Sequence, residues 1–259
     1  MAGVQLSSTW YKVYGNLEDS SIPPLITLRS GPGAGHEYLS PLTKLYEKHG
    51  IPIIEVLGDD SFWTFDLFLE ELDNLVDHLT LREKGFSIIV QTWGGMLRAI
   101  YAARCPEGLK KLIISSSLAS IPLYIVGNNR LRSELPLKYK EASALFYKRH
   151  VCCLDPLPDD VQAAFTNLDH TAHLTVQEPF ELVITGSTKD WEGWEVAHQI
   201  GVDTLVLNGR YDEMTEICVE PWFRVVPRVK WVTFENSSHL THREEPKRFL
   251  EVCGSFLPG

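Results

Sequence analysis

The chain has 259 residues, 44% of them hydrophobic and 22% charged, which suits one α/β domain with an insertion and a sizeable core and excludes a disordered or low-complexity chain. Its 34 acidic against 24 basic residues give a formal charge of −10, and no local cluster of Lys and Arg offsets it, so a phosphate backbone is repelled and nucleic acid is not expected as a partner. The opening MAGVQLSSTWYKVYG has no basic segment followed by an apolar one, and eighteen apolar residues nowhere run together, so a cytoplasmic chain without membrane spans is expected.

In chain order, short β-rich runs alternate with helical patterns. Strands are expected at Trp10–Tyr14, Leu25–Leu28, Ile51–Val56, Phe86–Val90, Leu112–Ser116, Thr204–Leu207 and Trp231–Phe234. Between the third and fourth, Phe65, Phe68, Leu69, Leu72, Val76 and Leu79 recur at helical spacing and predict one long amphipathic helix. From Ile121 to about Asp203 the pattern is helical and interrupted by Pro, with no clear strand. Pro246 opens a final helix, PKRFLEVCGSF. The alternation predicts an α/β fold with a mainly parallel sheet flanked by helices. Residues 1–120 and 204–259 would form its core, and 121–203 a helical cap inserted over the carboxyl edge of the sheet. Five cysteines, an odd number without metal-type spacing, read as reduced thiols, the adjacent Cys152 and Cys153 as a buried pair.

Ligands of open α/β sheets bind outside the carboxyl ends of the strands, so the loops there carry the chemistry. RSGPGAGHEYL follows the second strand, QTWGGM the fourth, and NGRYDEMT the sixth, with FENSSHLTHREEP after the seventh. Together they place a hydroxyl at Thr92, a carboxylate at Asp212 and an imidazole at His239, the nucleophile, acid, base order of α/β-hydrolases. Taken singly, Asp212 is also a common type of turn residue, and His239 competes with a surface role or with nearby His242. A zinc site on His239 and His242 lacks further ligands, and GPGAG departs from the dinucleotide fingerprint because His36 stands at its sixth place. No cofactor or metal is therefore expected.

The stretches GPGAGHEYL, SFWTFDLFLEELDNLVDHL, QTWGGML, SSSLASIPLY, FYKRHVCCLDPLP, GRYDEMT and SSHLTHREEPKRFLEV resemble the proline iminopeptidase family of α/β-hydrolases, including its fungal amidase-like members, over nearly the whole chain. The resemblance implies that Thr92 stands at the family's serine, Asp212 at its acid and His239 at its base, with the backbone N–H groups of Gly31 and Trp93 as the oxyanion hole. It also implies an enzyme acting on a small amide or ester. The chain departs from the family pattern at Thr92 itself, at Val90 in place of a small residue, at Arg29 and Ser30 in place of His-Gly, in a shorter loop after Val56, and in a shortened cap between Lys138 and Ala144. The acidic residues that grip a substrate's free amine in the family have no aligned counterpart, and WEGWE at 191–195 reads as structural. A β-branched residue at a tight strand-to-helix turn is expected to sit at positive φ, at a cost of about 1–3 kcal/mol. Three functional classes follow: a Thr-Asp-His hydrolase, a repurposed general-base catalyst such as an isomerase, lyase or cyclase of secondary metabolism, and a binding protein without activity.

Overall fold

The computed structural model describes residues 11–18, 21–28, 36–56, 65–92, 94–135, 139–167 and 189–258, apart from the side chains of 65–68, 97, 98, 139 and 140. Seven strands form one sheet: β1 (Tyr11–Tyr14), β2 (Leu25–Leu28), β3 (Ile53–Val56), β4 (Phe86–Gln91), β5 (Leu109–Ser115), β6 (Asp203–Gly209) and β7 (Val229–Phe234). Their order is β1-β3-β2-β4-β5-β6-β7, with β1 antiparallel to β3 and every other pair parallel. All seven expected strands are present, β2 with the expected bounds and the other six with shifted ends. Trp10 lies outside the described residues, β3 begins two residues later than expected, and β5 and β7 begin earlier. The start of β5 is hidden in sequence by Lys110 and Lys111. Lys111 is nevertheless buried, because its Nζ donates to the Phe256 carbonyl at 2.5 Å and lies over the Phe256 ring.

Continuous apolar runs can build two cores because successive strand side chains face opposite sides. Ile26, Ile54, Ile88, Val90, Leu112, Ile114 and Val206 enter one core. There they meet α2 (Phe65–His78) through Leu69, Leu72 and Val76, and α4 (Gly94–Ala103) through Met96 and Ala99. Leu25, Ile53, Ile89, Ile113, Leu205 and Leu207 enter the other. That core is closed by a 3-10 turn at Glu37–Thr43, by α1 (Lys44–His49) and by the last helix, Pro246–Phe256, which begins at Pro246 as expected. The short helix α3 (Leu81–Lys84) leads into β4. Phe65 and Phe68 of the predicted stripe fall among the side chains not described.

Between β5 and β6 the described residues form α5 (Ile121–Ser133), α6 (Tyr139–Phe146), a π-helical turn (Tyr147–Val151), α7 (Asp159–Thr166) and α8 (Trp194–Ala197). Ser120 caps α5, its hydroxyl accepting the Leu123 amide at 3.2 Å with Pro122 in the first turn. In WEGWE, Trp191 packs against Trp222 at 6.3 Å between ring centroids, and a Cβ at Gly193 would lie 2.3 Å from Trp191, so this stretch does pack as structure. After β6 come α9 (Glu216–Val225), α10 (Thr241–Glu244) and α11 (Pro246–Phe256). All five cysteines are free, but Cys153 is exposed, which corrects the expectation of a buried pair. The backbone at Cys152 is extended, so its neighbour points to the opposite side. Burial and the adjacent Glu244 carboxylate push the Cys153 thiol up to about 12. None of the described helices is long and apolar enough to cross a membrane.

Candidate active site

Thr92 follows the last residue of β4 and adopts φ 54°, the left-handed conformation expected of a tight elbow and unfavourable for a β-branched residue. Its surroundings over-determine that conformation. The Thr92 amide lies 3.2 and 3.1 Å from the carbonyls of Ser115 and Ser116, and its own carbonyl accepts the Gly95 amide at 3.0 Å and the Ser117 hydroxyl at 2.6 Å. Gly95 lets α4 approach this closely, because a Cβ there would lie 1.9 Å from Ser117 Oγ. The bulk of Val90 is accommodated: its Cγ2 lies 3.6 Å from the same point, an ordinary contact.

Asp212 and His239 come from two loops welded together. The amides of Arg210 and Tyr211 donate to the carbonyls of Phe234 (2.8 Å) and Ser237 (3.0 Å). At Gly209 a Cβ would stand 2.0 Å from the Ser238 carbonyl oxygen, so only glycine permits this approach of backbone to backbone. Asp212 is held by the Met214 amide, which donates to Oδ1 at 2.8 Å. The same Oδ1 lies 2.8 Å from His239 Nδ1, and His239 Nε2 lies 2.5 Å from Thr92 Oγ1. Asp212 and His239 are buried, and the Gln91 side chain donates through Nε2 to the His239 carbonyl at 3.1 Å. The fold thus brings Thr92, Asp212 and His239 into one hydrogen-bonded row at the carboxyl edge of the sheet. Gly31 and Trp93, expected as oxyanion donors, lie outside the described residues.

His242 is directed elsewhere. Its Nε2–H donates to the Tyr38 carbonyl at 2.9 Å, its ring packs against Tyr38 and Phe249, and burial lowers its pKa from 6.5 to about 4. A group whose folded pKa is depressed contributes stability that is full above pH 6.5 and lost as pH falls toward 4. At 1.36 kcal/mol per pH unit the loss is about 3 kcal/mol. Urea unfolding of His242→Gln should therefore show a flatter dependence on pH between 6.5 and 4 than the wild type, and parallel curves would contradict this account.

Reading the motifs one by one missed Glu213. It is buried beside Asp212, with Oε1 3.9 Å from His239 Nδ1, and Oε2 accepts the Tyr124 hydroxyl of α5 at 3.2 Å. The backbone around it is held as well: Asn128 Nδ2 donates to the Glu213 carbonyl at 3.2 Å, and the Glu213 amide donates to the His150 carbonyl at 3.1 Å. His150 is fixed in turn by its Nδ1–H, which donates to the Tyr211 carbonyl at 2.8 Å, and burial lowers its pKa. The one available signal was the second acidic residue in GRYDEMT. Among the described residues no group of His, Cys, Asp and Glu could hold a metal ion.

A protein from Saccharolobus solfataricus named proline iminopeptidase is 31% identical over 283 residues, covering 98% of this chain and 89% of its own length. One of the same name from Thermoplasma volcanium is 30% identical, covering 90% and 88%. Among solved structures, VinJ superposes with a TM-score of 0.91 at 35% identity over 99% of this chain and 96% of VinJ. The proline iminopeptidase of Mycobacterium smegmatis superposes at 0.89 with 29% identity, over 96% of this chain and 94% of its own. No family model matches the sequence. The parallel sheet with its flanking helices and these superpositions define an α/β-hydrolase fold. Within that fold, the chain belongs to the proline iminopeptidase family.

Proposed function

We propose that this protein is a threonine-dependent hydrolase that cleaves a small amide or ester, with Thr92 as nucleophile in the place of the family's serine, His239 as base and Asp212 as the acid that holds it. The observation that carries this reading is the 2.5 Å separation of Thr92 Oγ1 and His239 Nε2, continued by the 2.8 Å contact of His239 Nδ1 with Asp212. Oγ1 attacks the acyl carbon while Nε2 takes its proton, and the imidazolium returns that proton to the departing amine or alcohol. Water, deprotonated by the same nitrogen, then releases the acyl group from Oγ1. The oxyanion formed in both steps is assigned to the amides of Gly31 and Trp93.

Relatives named proline iminopeptidases support a small amide as the substrate class. Residues 121–203 are assigned as the cap over this site, supported by the contacts of Tyr124, Asn128 and His150 with the acid loop. We assign the chain further to the fungal amidase-like branch, on the resemblance of the seven stretches quoted above taken together, with the cytoplasm as its location and secondary metabolism as its setting.

The test is an assay of proline and alanine arylamides and small aryl esters, coupled to rapid quenching and mass spectrometry. Release of arylamine or aryl alcohol with an acyl adduct on Thr92 is the expected outcome. A folded protein that turns over none of these substrates and carries no adduct would reject the reading.

A further inference from the structure

Two carboxylates at the junction of α10 and the last helix accept hydrogen bonds from the turn that precedes His239. Glu244 closes α10; its Oε2 accepts the Ser238 amide at 2.7 Å, and its Oε1 accepts the Ser238 hydroxyl at 2.6 Å. Glu245 Oε2 accepts the Asn236 amide at 3.0 Å and the Ser237 hydroxyl at 2.8 Å. Residues 236–238, immediately before the base, are therefore held from below by charge-assisted bonds. Glu244 also has a third donor: the Cys153 amide reaches the same Oε1 at 2.7 Å. Only a carboxylate serves all three, because an amide in its place would turn N–H groups against at least one of these donors.

That third bond reaches a different part of the molecule. Cys153 lies just beyond the π-helical turn Tyr147–Val151, a geometry found often at functional sites. From the same turn His150 holds the acid loop, through the Tyr211 carbonyl and the Glu213 amide. The segment 147–153 thus grips the acid loop through His150 and the base loop through Glu244.

We propose that Glu244 is a positioning residue: it fastens the turn preceding His239 to the segment 147–153, so that the imidazole's alignment between Asp212 and Thr92 depends on where that segment sits. Its kinetic consequence rests on the hydrolase reading above, but its structural consequence does not. The direct readout is the proton NMR resonance of His239 Nδ1–H, its line width and its exchange with solvent, followed in wild type, Glu244→Ala and Glu244→Gln. Both variants are expected to broaden or shift the resonance and to exchange it about tenfold faster, a change of about 1.4 kcal/mol in the closed state. With a turned-over substrate, kcat should fall about a hundredfold at nearly constant KM, the effect of a small misplacement of a catalytic group. The exposed Arg224→Ala should leave the resonance and its exchange as in wild type.

Should both Glu244 variants fail to fold, Ser238→Ala, which deletes one of the three donors, is expected to give an intermediate effect in the same direction. Folded variants with the wild-type resonance, exchange and kcat would overturn the proposal, as would an unchanged resonance in Ser238→Ala. If the wild type turns over no substrate, the hydrolase reading fails while the resonance still decides the role of Glu244.

Discussion

Asp212→Asn should lower kcat about 10⁴-fold while leaving the protein folded, and His239→Ala should remove turnover to the level of the residual oxyanion site. The reason lies in the geometry around Oδ1, which receives both the Met214 amide and His239 Nδ1–H. An asparagine with its oxygen in this place keeps both contacts but lacks the carboxylate charge that stabilises the imidazolium; turned the other way it loses both and sets its NH2 group against Nδ1, which favours the wrong imidazole tautomer. Thr92→Ala discriminates mechanisms in the same experiment. In a covalent mechanism the three side chains act as a unit, so its loss should match that of His239→Ala. Had the imidazole been acting only as a general base on a substrate proton, Thr92→Ala would keep much of the activity while His239→Ala abolished it. Turnover by Thr92→Ala at more than about a tenth of the wild-type rate would reject Thr92 as nucleophile, and steady-state kinetics on all three variants, with circular dichroism to confirm folding, decides it.

Thr92→Ser should work in the opposite direction and raise kcat roughly tenfold, equivalent to about 1.4 kcal/mol of barrier. The γ-methyl group of Thr92 restricts χ1 and stands beside the oxygen where the acyl carbon must arrive. At φ 54° the β-branch is also strained against its own backbone, and serine relieves part of that while keeping the hydroxyl 2.5 Å from His239 Nε2. Thermal unfolding should show Thr92→Ser at least as stable as wild type. A slower or equal Thr92→Ser enzyme would mean that the methyl group is a working part of the pocket and that the site is adapted to threonine.

The sheet was legible in sequence because its strands are apolar runs between turn signals, and the elbow because Gly94 and Gly95 follow Thr92 after a single residue. Strand ends were less so. Lys110 and Lys111 disguise the start of β5, since a charged residue is read as exposed until the Lys111 Nζ is seen over the Phe256 ring and bonded to its carbonyl. His239 and His242, three residues apart, carry the same chemistry in sequence. Only the fold separates them, by sending one ring to Thr92 and the other to the Tyr38 carbonyl. Glu213 showed in sequence only as the second acidic residue of GRYDEMT, for a different reason: its partners Tyr124 and Asn128 are 89 and 85 residues distant along the chain, so their proximity is a product of tertiary packing.

The glycine at 209 has a consequence for how such a site can change over evolutionary time. Because the loops that carry them are fused through it, Asp212 and His239 form a cassette carried by β6 and β7, while Thr92 belongs to a second cassette built on β4 and β5. Beyond the β5–β6 ladder of the shared sheet, Thr92 Oγ1 and the Gln91 side-chain bond to the His239 carbonyl link the elbow to the acid and base loops. A substitution at the elbow therefore leaves the acid–base cassette assembled. Lineages of this architecture can exchange one hydroxyl for another, or dispense with it, and still inherit an oriented imidazole on which new chemistry can be tried.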